Sequence, residues 1–323
     1  MKIAILGFDG YFGYPLYKRL QLTHEVIGID NFWRRTCKDS PSLIPRKLPK
    51  GISCDVTNYA ALFDVLSNFN PDIVIHLAEQ RSAPYSMKNI KNKQHTIINN
   101  SIGTLNILEC SKILGFKIIH IGTMGVYGYE EKNLITEGDI TRRPGSIYHL
   151  SKCIDNSMFE MYSRLYNCNI VELHQGIIWG VGGRFDYDEI FGTVLNRFIL
   201  QRMLNMPLTL YGKGNQVRPF IHIENSLDCV ELVIQNKDIG FTTYNQYTEI
   251  KNISKLISGK VQYYDNPRIE NENNNLKSTN KKLLKLGLKS IYINEIEINK
   301  IEDEIRPFLS HVKKDLICPK TTW

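Results

Sequence analysis

The chain has no uninterrupted apolar run of the ~18 residues that a helix needs to cross a bilayer. Its first residues lack the basic, apolar and small-residue layout of a secretory signal, and Met1 runs straight into a β-forming stretch. Both absences lead us to expect a cytoplasmic protein with no membrane span. The seven cysteines (Cys37, Cys54, Cys110, Cys153, Cys168, Cys229, Cys318) include no Cys-x-x-Cys pair. They read as reduced thiols rather than a disulfide framework. The eight histidines show no metal-ligand spacing, so no metal is expected. No internal repeat is visible, and no nucleic-acid motif accompanies the formal net charge of +7. The basic pairs Arg34–Arg35, Arg142–Arg143 and Lys281–Lys282 are dispersed. They read as a solvated surface suited to small anions, not as a nucleic-acid footprint.

What is present suffices for a sizeable core: 323 residues, 42% of them hydrophobic, in one large or two closely associated domains. Lys2 to Leu6 is a short apolar β-forming run and reads as a buried parallel strand. Gly7-Phe8-Asp9-Gly10-Tyr11-Phe12-Gly13 follows, a G-x-x-G-x-x-G pattern that opens a helical segment through Leu20. A second strand, Glu25 to Ile29, ends in Asp30. Strand, glycine turn, helix, strand and acid make a dinucleotide-binding unit. Gly7 permits the tight turn, Gly10 lets backbone approach a pyrophosphate, and Gly13 lets helix and strand pack closely. The helix N-terminus offers N–H groups to phosphate. Asp9, Tyr11 and Phe12 in the loop, and Asn31 after the strand, join the candidate cofactor contacts. Asp30 accepts from ribose hydroxyls and repels a 2′-phosphate, favouring NAD; Arg34 and Arg35 just beyond could instead hold that phosphate.

A fourth strand, Asp72 to Leu77, runs through Ala78 into the loop Glu79-Gln80-Arg81-Ser82-Ala83-Pro84-Tyr85-Ser86-Met87, at the strand end where ligands bind in such sheets. Leu77, Ala78 and Gln80 therefore border the cofactor. A helix is expected from about Asn99 to Leu114, with Asn99 and Asn100 as cofactor-helix contacts or solvated polar groups. The fifth strand, Lys117 to Ile121, leads into Gly122-Thr123-Met124-Gly125-Val126-Tyr127-Gly128. Tyr148-His149-Leu150-Ser151-Lys152 places a phenol and an ammonium one helical turn apart. The ammonium is expected to lower the phenol's pKa from ~10 so that it can take a proton from a sugar hydroxyl. Thr123 can bond the same hydroxyl. Past a sixth strand, Ile170 to Leu173, come the glycine-rich stretch Gln175 to Gly183 and then Tyr211 to His222, containing Gln216 and Arg218. Arg218 and Arg268 carry guanidinium forks suited to a diphosphate. Asn271 to Asn280 reads as a loop and helix start.

Glu79 to Met87, Gly122-Thr-Met-Gly125, Tyr148 to Lys152, Gln175-Gly176, Phe185-Asp-Tyr-Asp188, Phe191-Gly-Thr193, Leu195 to Phe198, Tyr211-Gly-Lys-Gly214, Asn245-Gln246 and Asn266-Pro-Arg268 together resemble the UDP-sulfoquinovose synthases. These are a branch of the extended short-chain dehydrogenase/reductase, NAD-dependent epimerase/dehydratase family. The resemblance implies an α/β fold: a Rossmann-type doubly wound parallel sheet with a smaller C-terminal mixed α/β substrate domain. Residues 1–175 would bind NAD and 176–323 mainly the nucleotide sugar, with segments returning to the sheet. It implies UDP-glucose and sulfite as substrates. Tyr148 with Lys152 would remove the C4 hydroxyl proton as NAD takes hydride; the 4-ketone would acidify C5. Loss of that proton and of the C6 hydroxyl would give a 4-keto-5,6-ene, to which sulfite adds before C4 is reduced again. Thr123, Met124 and His149 would complete the catalytic set, Gln80, Arg81 and Tyr85 would line the sugar or sulfite pocket, and Gln175, Tyr211, Gln216, Arg218 and Arg268 would hold UDP-glucose. Asp55-Val56 looks like this superfamily's adenine-edge contact, or is an ordinary turn. Members usually form homodimers through a four-helix bundle, with which Ile154, Met158, Met161 and Tyr162 are compatible, as they are with the core. Two departures stand out. Val126 replaces the family's usual Glu, and the chain is shorter than the plant enzymes. Rival readings are a UDP-hexose 4-epimerase, another nucleotide-sugar dehydratase, or a non-catalytic NAD(H)-binding regulator. Met124 and Gly125 occupy the places of a 4,6-dehydratase's Asp-Glu pair, which argues against that enzyme.

Overall fold

The strongest β-formers of the chain lie in short runs separated by helices, and such runs pair in parallel because each crossover helix returns the chain to the same edge. A computed structural model describes residues 1–37, 40–128, 135–137, 139–141, 143–266 and 277–318. Its strands are β1 (Lys2–Leu6), β2 (Glu25–Asp30), β3 (Ile52–Ser53), β4 (Ile73–His76), β5 (Lys117–Thr123), β6 (Ile170–Gln175), β7 (Ile177–Trp179), β8 (Leu208–Tyr211), β9 (Val217–His222), β10 (Phe241–Gln246), β11 (Glu249–Asn252) and β12 (Val261–Tyr264). Seven of them form one sheet in the order β3-β2-β1-β4-β5-β6-β10. Every pairing in it is parallel. This is a Rossmann-type doubly wound sheet, and the strand order reverses between β1 and β4, where such sheets bind ligands.

Two apolar clusters cover its faces. Ile3, Ile5, Leu16 and Leu20 pack with Val230 and Val233 on one side. Ala4, Leu6, Leu62, Leu66, Phe159 and Tyr162 pack on the other. Tyr162, weighed as a surface residue for pairing subunits, is thus a core residue, and its hydroxyl donates to Glu109 at 2.5 Å. A separate cluster, including Trp179, Phe185, Phe198, Ile298 and Ile301, sits beneath a three-stranded sheet (β11-β9-β7) and the parallel pair β12–β8.

Two helix readings change. The expected helix Asn99–Leu114 begins earlier: Asn89 caps Ile90–Ile97, a π-helical turn Ile98–Ile102 follows, and Gly103–Leu114 completes the rod. Part of the supposed loop after β4 is also helical, over Ala83–Met87, because the Ser82 hydroxyl caps it by accepting from Tyr85 N. Among the described residues no helix is long and apolar enough to cross a membrane.

Candidate active site

The glycine loop is shaped by close backbone approach. Gly7 has φ +82°, and a Cβ there would lie 2.6 Å from the Leu77 carbonyl. A Cβ on Gly13 would lie 2.3 Å from the Gly7 oxygen. At the end of β2, Asp30 accepts from Asp9 N (3.0 Å) and Phe32 N (2.7 Å), and burial raises its pKa. The two arginines that could hold a 2′-phosphate are already engaged. Arg35 and Arg46 pair with the buried Asp9 carboxylate, and Arg34 reaches Asp186 at 3.1 Å while stacking on Phe191. A cradle that no side chain can fill, with an acid at its ribose end and its arginines neutralised, fits NAD.

Gly7, Asp9, Gly10, Tyr11, Phe12, Gly13, Asp30, Asn31, Arg34, Val56, Leu77, Ala78, Gln80, Asn99, Tyr148, Lys152 and Gln175 border this cleft. Arg35 and Asp55 do not. Arg35 is turned to Asp9, and Asp55 takes hydrogen bonds from Asn31 Nδ2 (2.9 Å) and Thr57, which hold its pKa down although burial pushes the other way.

A second cavity adjoins it, bordered by Arg81, Thr123, Met124, Tyr148, His149, Gln175, Tyr211, Gln216 and Arg218. Tyr148, Arg81 and Gln175 border both spaces. Two expected sugar contacts are not at this cavity. Gln80 is buried, its amide donating to Ser82 O (3.0 Å) and Thr96 Oγ1 (2.9 Å), so it builds the loop instead. Tyr85 faces Trp33 and Phe191, with its hydroxyl 3.1 Å from His95 Nδ1. Arg268 lies outside the described residues. Val126 does not border the cavity either; it packs, fully buried, with Met124, Tyr127, Ile135 and Tyr247.

The helix Ile147–Tyr166 presents Tyr148 in its first turn because Ser146 caps it, accepting from His149 N. Ser146 Oγ also lies 3.0 Å from His149 Nδ1. The ring lies against Gly125, where a Cβ would come within 2.3 Å of it. Thr123, at the end of β5, borders the same cavity as Tyr148 and pulls its pKa down, while its Oγ1 accepts from Gly125 N at 3.1 Å.

The expected effect of Lys152 on Tyr148 is not seen. Burial pushes the Tyr148 phenol up to about 12, with Thr123 and Arg81 pulling against it. The Lys152 ammonium turns inward, pairing with Glu79 and bonding His120 Nε2 (3.1 Å) and Ile121 O (3.0 Å). Burial lowers it to about 8, against Asp155 and Glu172.

Sequence reasoning missed these inward partners. His76, His120, Glu172 and His174 are wholly buried. His76, His120 and Glu79 lie close enough to share one cation, and Lys152 is the cation among them. The signal was there: Ile-Val-Ile-His, Lys-Ile-Ile-His and Ile-Val-Glu-Leu-His put charge-bearing residues inside central strands, where apolar ones belong. A second unforeseen group is Asp186, buried between Arg34, Arg81 (2.6 Å) and Arg184 (3.3 Å). The surrounding guanidinium charges hold its pKa down despite burial.

Comparison with known proteins agrees with this geometry. The model of the NAD dependent epimerase/dehydratase family matches residues 3–245. A UDP-sulfoquinovose synthase of Sulfolobus acidocaldarius is 31% identical, with 100% of this chain and 98% of that protein covered. The chloroplastic UDP-sulfoquinovose synthase of Spinacia oleracea is 30% identical, covering 100% of this chain and 79% of its own. The structure of UDP-glucuronic acid 4-epimerase from Bacillus cereus, in complex with UDP-glucuronic acid and NAD, shares the fold with a TM-score of 0.78 at 23% identity, covering 95% of this chain and 99% of that one. The chain belongs to the NAD-dependent epimerase/dehydratase family of extended short-chain dehydrogenases/reductases, as a UDP-sulfoquinovose synthase-like enzyme of nucleotide-sugar chemistry with NAD as its cofactor.

Proposed function

We propose that the enzyme converts UDP-glucose and sulfite to UDP-sulfoquinovose through a 4-keto sugar, working as a homodimer. The observation that carries this reading is identity sustained over the full length, since a UDP-glucuronic acid decarboxylase of Xenopus tropicalis also covers 99% of the chain but at 27% identity. The two sulfoquinovose synthases match the whole chain, including the half that borders the second cavity. A probable UDP-glucuronate 4-epimerase of Rhizobium meliloti matches 73% of it, at 27% identity.

NAD, held by the glycine loop and Asp30, supplies the hydride acceptor and donor. The rest falls to side chains. Thr123 and Tyr148 bind the C4 hydroxyl, and Tyr148 takes its proton. Its raised pKa makes it a weak acid before ligands bind, and the positive charge of a bound nicotinamide would lower it toward the working range. Lys152 adds to that only while it is an ammonium. With C4 a ketone, the C5 proton is acidic. His149, held by Ser146, is the group placed to move it and to protonate the departing C6 oxygen. Arg81, at the junction of the two spaces, offers its charge to sulfite, and Arg218 to the diphosphate. Since Val126 has no ionisable group and packs with Met124 and Tyr127, the carboxylate that the resemblance implies at that place is not available here. The sulfite step is therefore assigned to Arg81 and His149.

The test is mass spectrometry of nucleotide sugar after incubation with UDP-glucose, with and without sulfite. The expected product is UDP-glucose with a C6 sulfonate in place of hydroxyl, formed only with sulfite. Unchanged mass with conversion to UDP-galactose would make the protein a 4-epimerase. Tyr148→Phe should lose turnover while keeping NAD; unaltered turnover would reject Tyr148 as the base.

A further inference from the structure

One face of the central sheet carries an unbroken row of polar side chains. The register places His76 beside His120, His120 beside Glu172, and His174 beside Asn245. These strands are buried on both faces, where Val, Ile and Leu are the ordinary occupants. A buried charge is retained at a cost unless it is paired, so the row calls for a reason. Its near end is Lys152. From there the steps are short. Lys152 Nζ lies 3.1 Å from His120 Nε2, and His120 Nδ1 lies 3.3 Å from Glu172 Oε1. Glu172 Oε2 lies 3.0 Å from His174 Nε2 and accepts from Asn156 at 2.6 Å. His174 Nδ1 lies 2.6 Å from the Tyr127 hydroxyl, which donates to Asn245 Oδ1 at 2.5 Å.

The hydrogens can be placed along this row. Asn245 Nδ2 donates to Thr279 O, so its Oδ1 is the acceptor that takes the Tyr127 hydrogen. Tyr127 oxygen must then accept from His174 Nδ1. His174 Nε2 faces a carboxylate, so it donates as well. At the other end the ammonium donates to His120 Nε2, leaving Nδ1 3.3 Å from Glu172 Oε1, close enough for charge to act but off the line of a hydrogen bond.

We propose that Glu172, acting through His120 and backed by His174, is a positioning residue of the catalytic centre, part of a buried ladder that keeps the Lys152 ammonium charged and in place. The groups facing Lys152 are Glu79 from the loop after β4, His76 from β4, His120 and the Ile121 carbonyl from β5, Glu172 from β6, and Tyr148 and Asp155 from its own helix. Glu79 alone could balance the charge. Glu172 supplies what Glu79 does not, a negative charge 3.3 Å behind the His120 ring, on the side away from Lys152.

The inference rests on Tyr148 and Lys152 being the catalytic pair. Its test uses NAD-loaded enzyme and reads the pH dependence of bound-nicotinamide reduction by UDP-glucose, by absorbance. Because Lys152 must be an ammonium, the rate should fall as pH rises through its pKa. Glu172→Gln removes an anion that favours the ammonium, so this alkaline limb should move down by about half to one pH unit. His120→Gln should move it the same way. A folded, NAD-loaded Glu172→Gln whose limb stays in place overturns the proposal. If that variant does not fold, His120→Gln decides by the same criterion. Tyr148→Phe separates the two layers. If it still reduces the nicotinamide, the catalytic reading fails, whereas a dead Tyr148→Phe with an unmoved limb in Glu172→Gln removes the ladder alone.

Discussion

Asp155 sits one turn beyond Lys152, wholly buried. Burial pushes its pKa up to about 6, although Lys152 and His120 pull it down. A carboxyl whose folded pKa is raised binds its proton more tightly folded than unfolded. Stability is therefore greatest below the unfolded value of ~3.9 and declines as pH rises through about 6; the difference is worth ~3 kcal/mol at most. Asp155→Asn should therefore melt at a higher temperature than the parent at pH 8 and at nearly the same temperature at pH 4. A lower melting point at pH 8 would show that its charge stabilises the fold. The same change removes a carboxylate that favours the Lys152 ammonium, so added stability should come with earlier loss of activity as pH rises. Single side chains were also where reading the sequence succeeded and failed most plainly. Thr123 and Tyr148 border one cavity, since each is fixed by a regular element, a strand end and a helix turn. Gln80 and Tyr85 do not face sugar, because a loop residue's direction depends on which partner claims it: Ser82 and Thr96 hold Gln80, and the rings of Trp33 and Phe191 hold Tyr85.

At the scale of elements, β1, the glycine turn and Asp30 were legible because tight turns and buried parallel strands each admit few residue types. The start of the rod Ile90–Leu114 was not. Lys-Asn-Lys-Gln-His breaks the apolar period, and only Asn89 marks the cap. The row of buried histidines was hidden for a related reason: polar residues in a strand read as an exposed face until the sheet is seen covered on both sides. The segment from Gly180 to Phe191 was also unreadable, since its role lies in distant contacts. It is tied to the glycine loop through Gly183 N to Tyr11 O (2.8 Å), to the stretch after β2 through Leu43 N to Phe185 O (3.0 Å), and to the loop after β4 through Arg81 to Phe191 O (3.1 Å). Asp186 is its anchor. Asp186→Asn leaves Arg34, Arg81 and Arg184 without their shared anion. Breaking such a buried group should cost ~3 kcal/mol, less where Arg81 is partly exposed, and should loosen NAD. The measurement is the urea midpoint together with the NAD retained after dialysis. If both match the parent, the segment is not held by this charge cluster.

At the scale of the whole molecule, the two helical rods that flank the sheet present apolar residues outward. Ile98 is 53% exposed and Ile102 42% on one rod. On the other, Leu150 is 37% exposed, Met161 38% and Leu165 53%, at intervals of eleven and four residues, about three turns and one, that keep them on one side. Scattered exposed leucines need no explanation, but a stripe along two packed helices does. A second copy applied across a twofold axis would meet it with the same stripe and bury both in a four-helix bundle. That stripe lies on the same helix as Tyr148 and Lys152, but Tyr148 and Lys152 face inward to Thr123 and His120, so dimerisation would brace the catalytic helix without entering the site. Leu165→Glu places a charge in the stripe, near the C-terminal end of the helix. Sedimentation at micromolar concentration should then show a dimer for the parent and a monomer for Leu165→Glu. The monomer should keep its NAD, because the glycine loop and Asp30 belong to a single chain. A parent that sediments as a monomer would remove the bundle, and a monomeric variant that loses NAD would mean that the catalytic helix depends on its partner for its place.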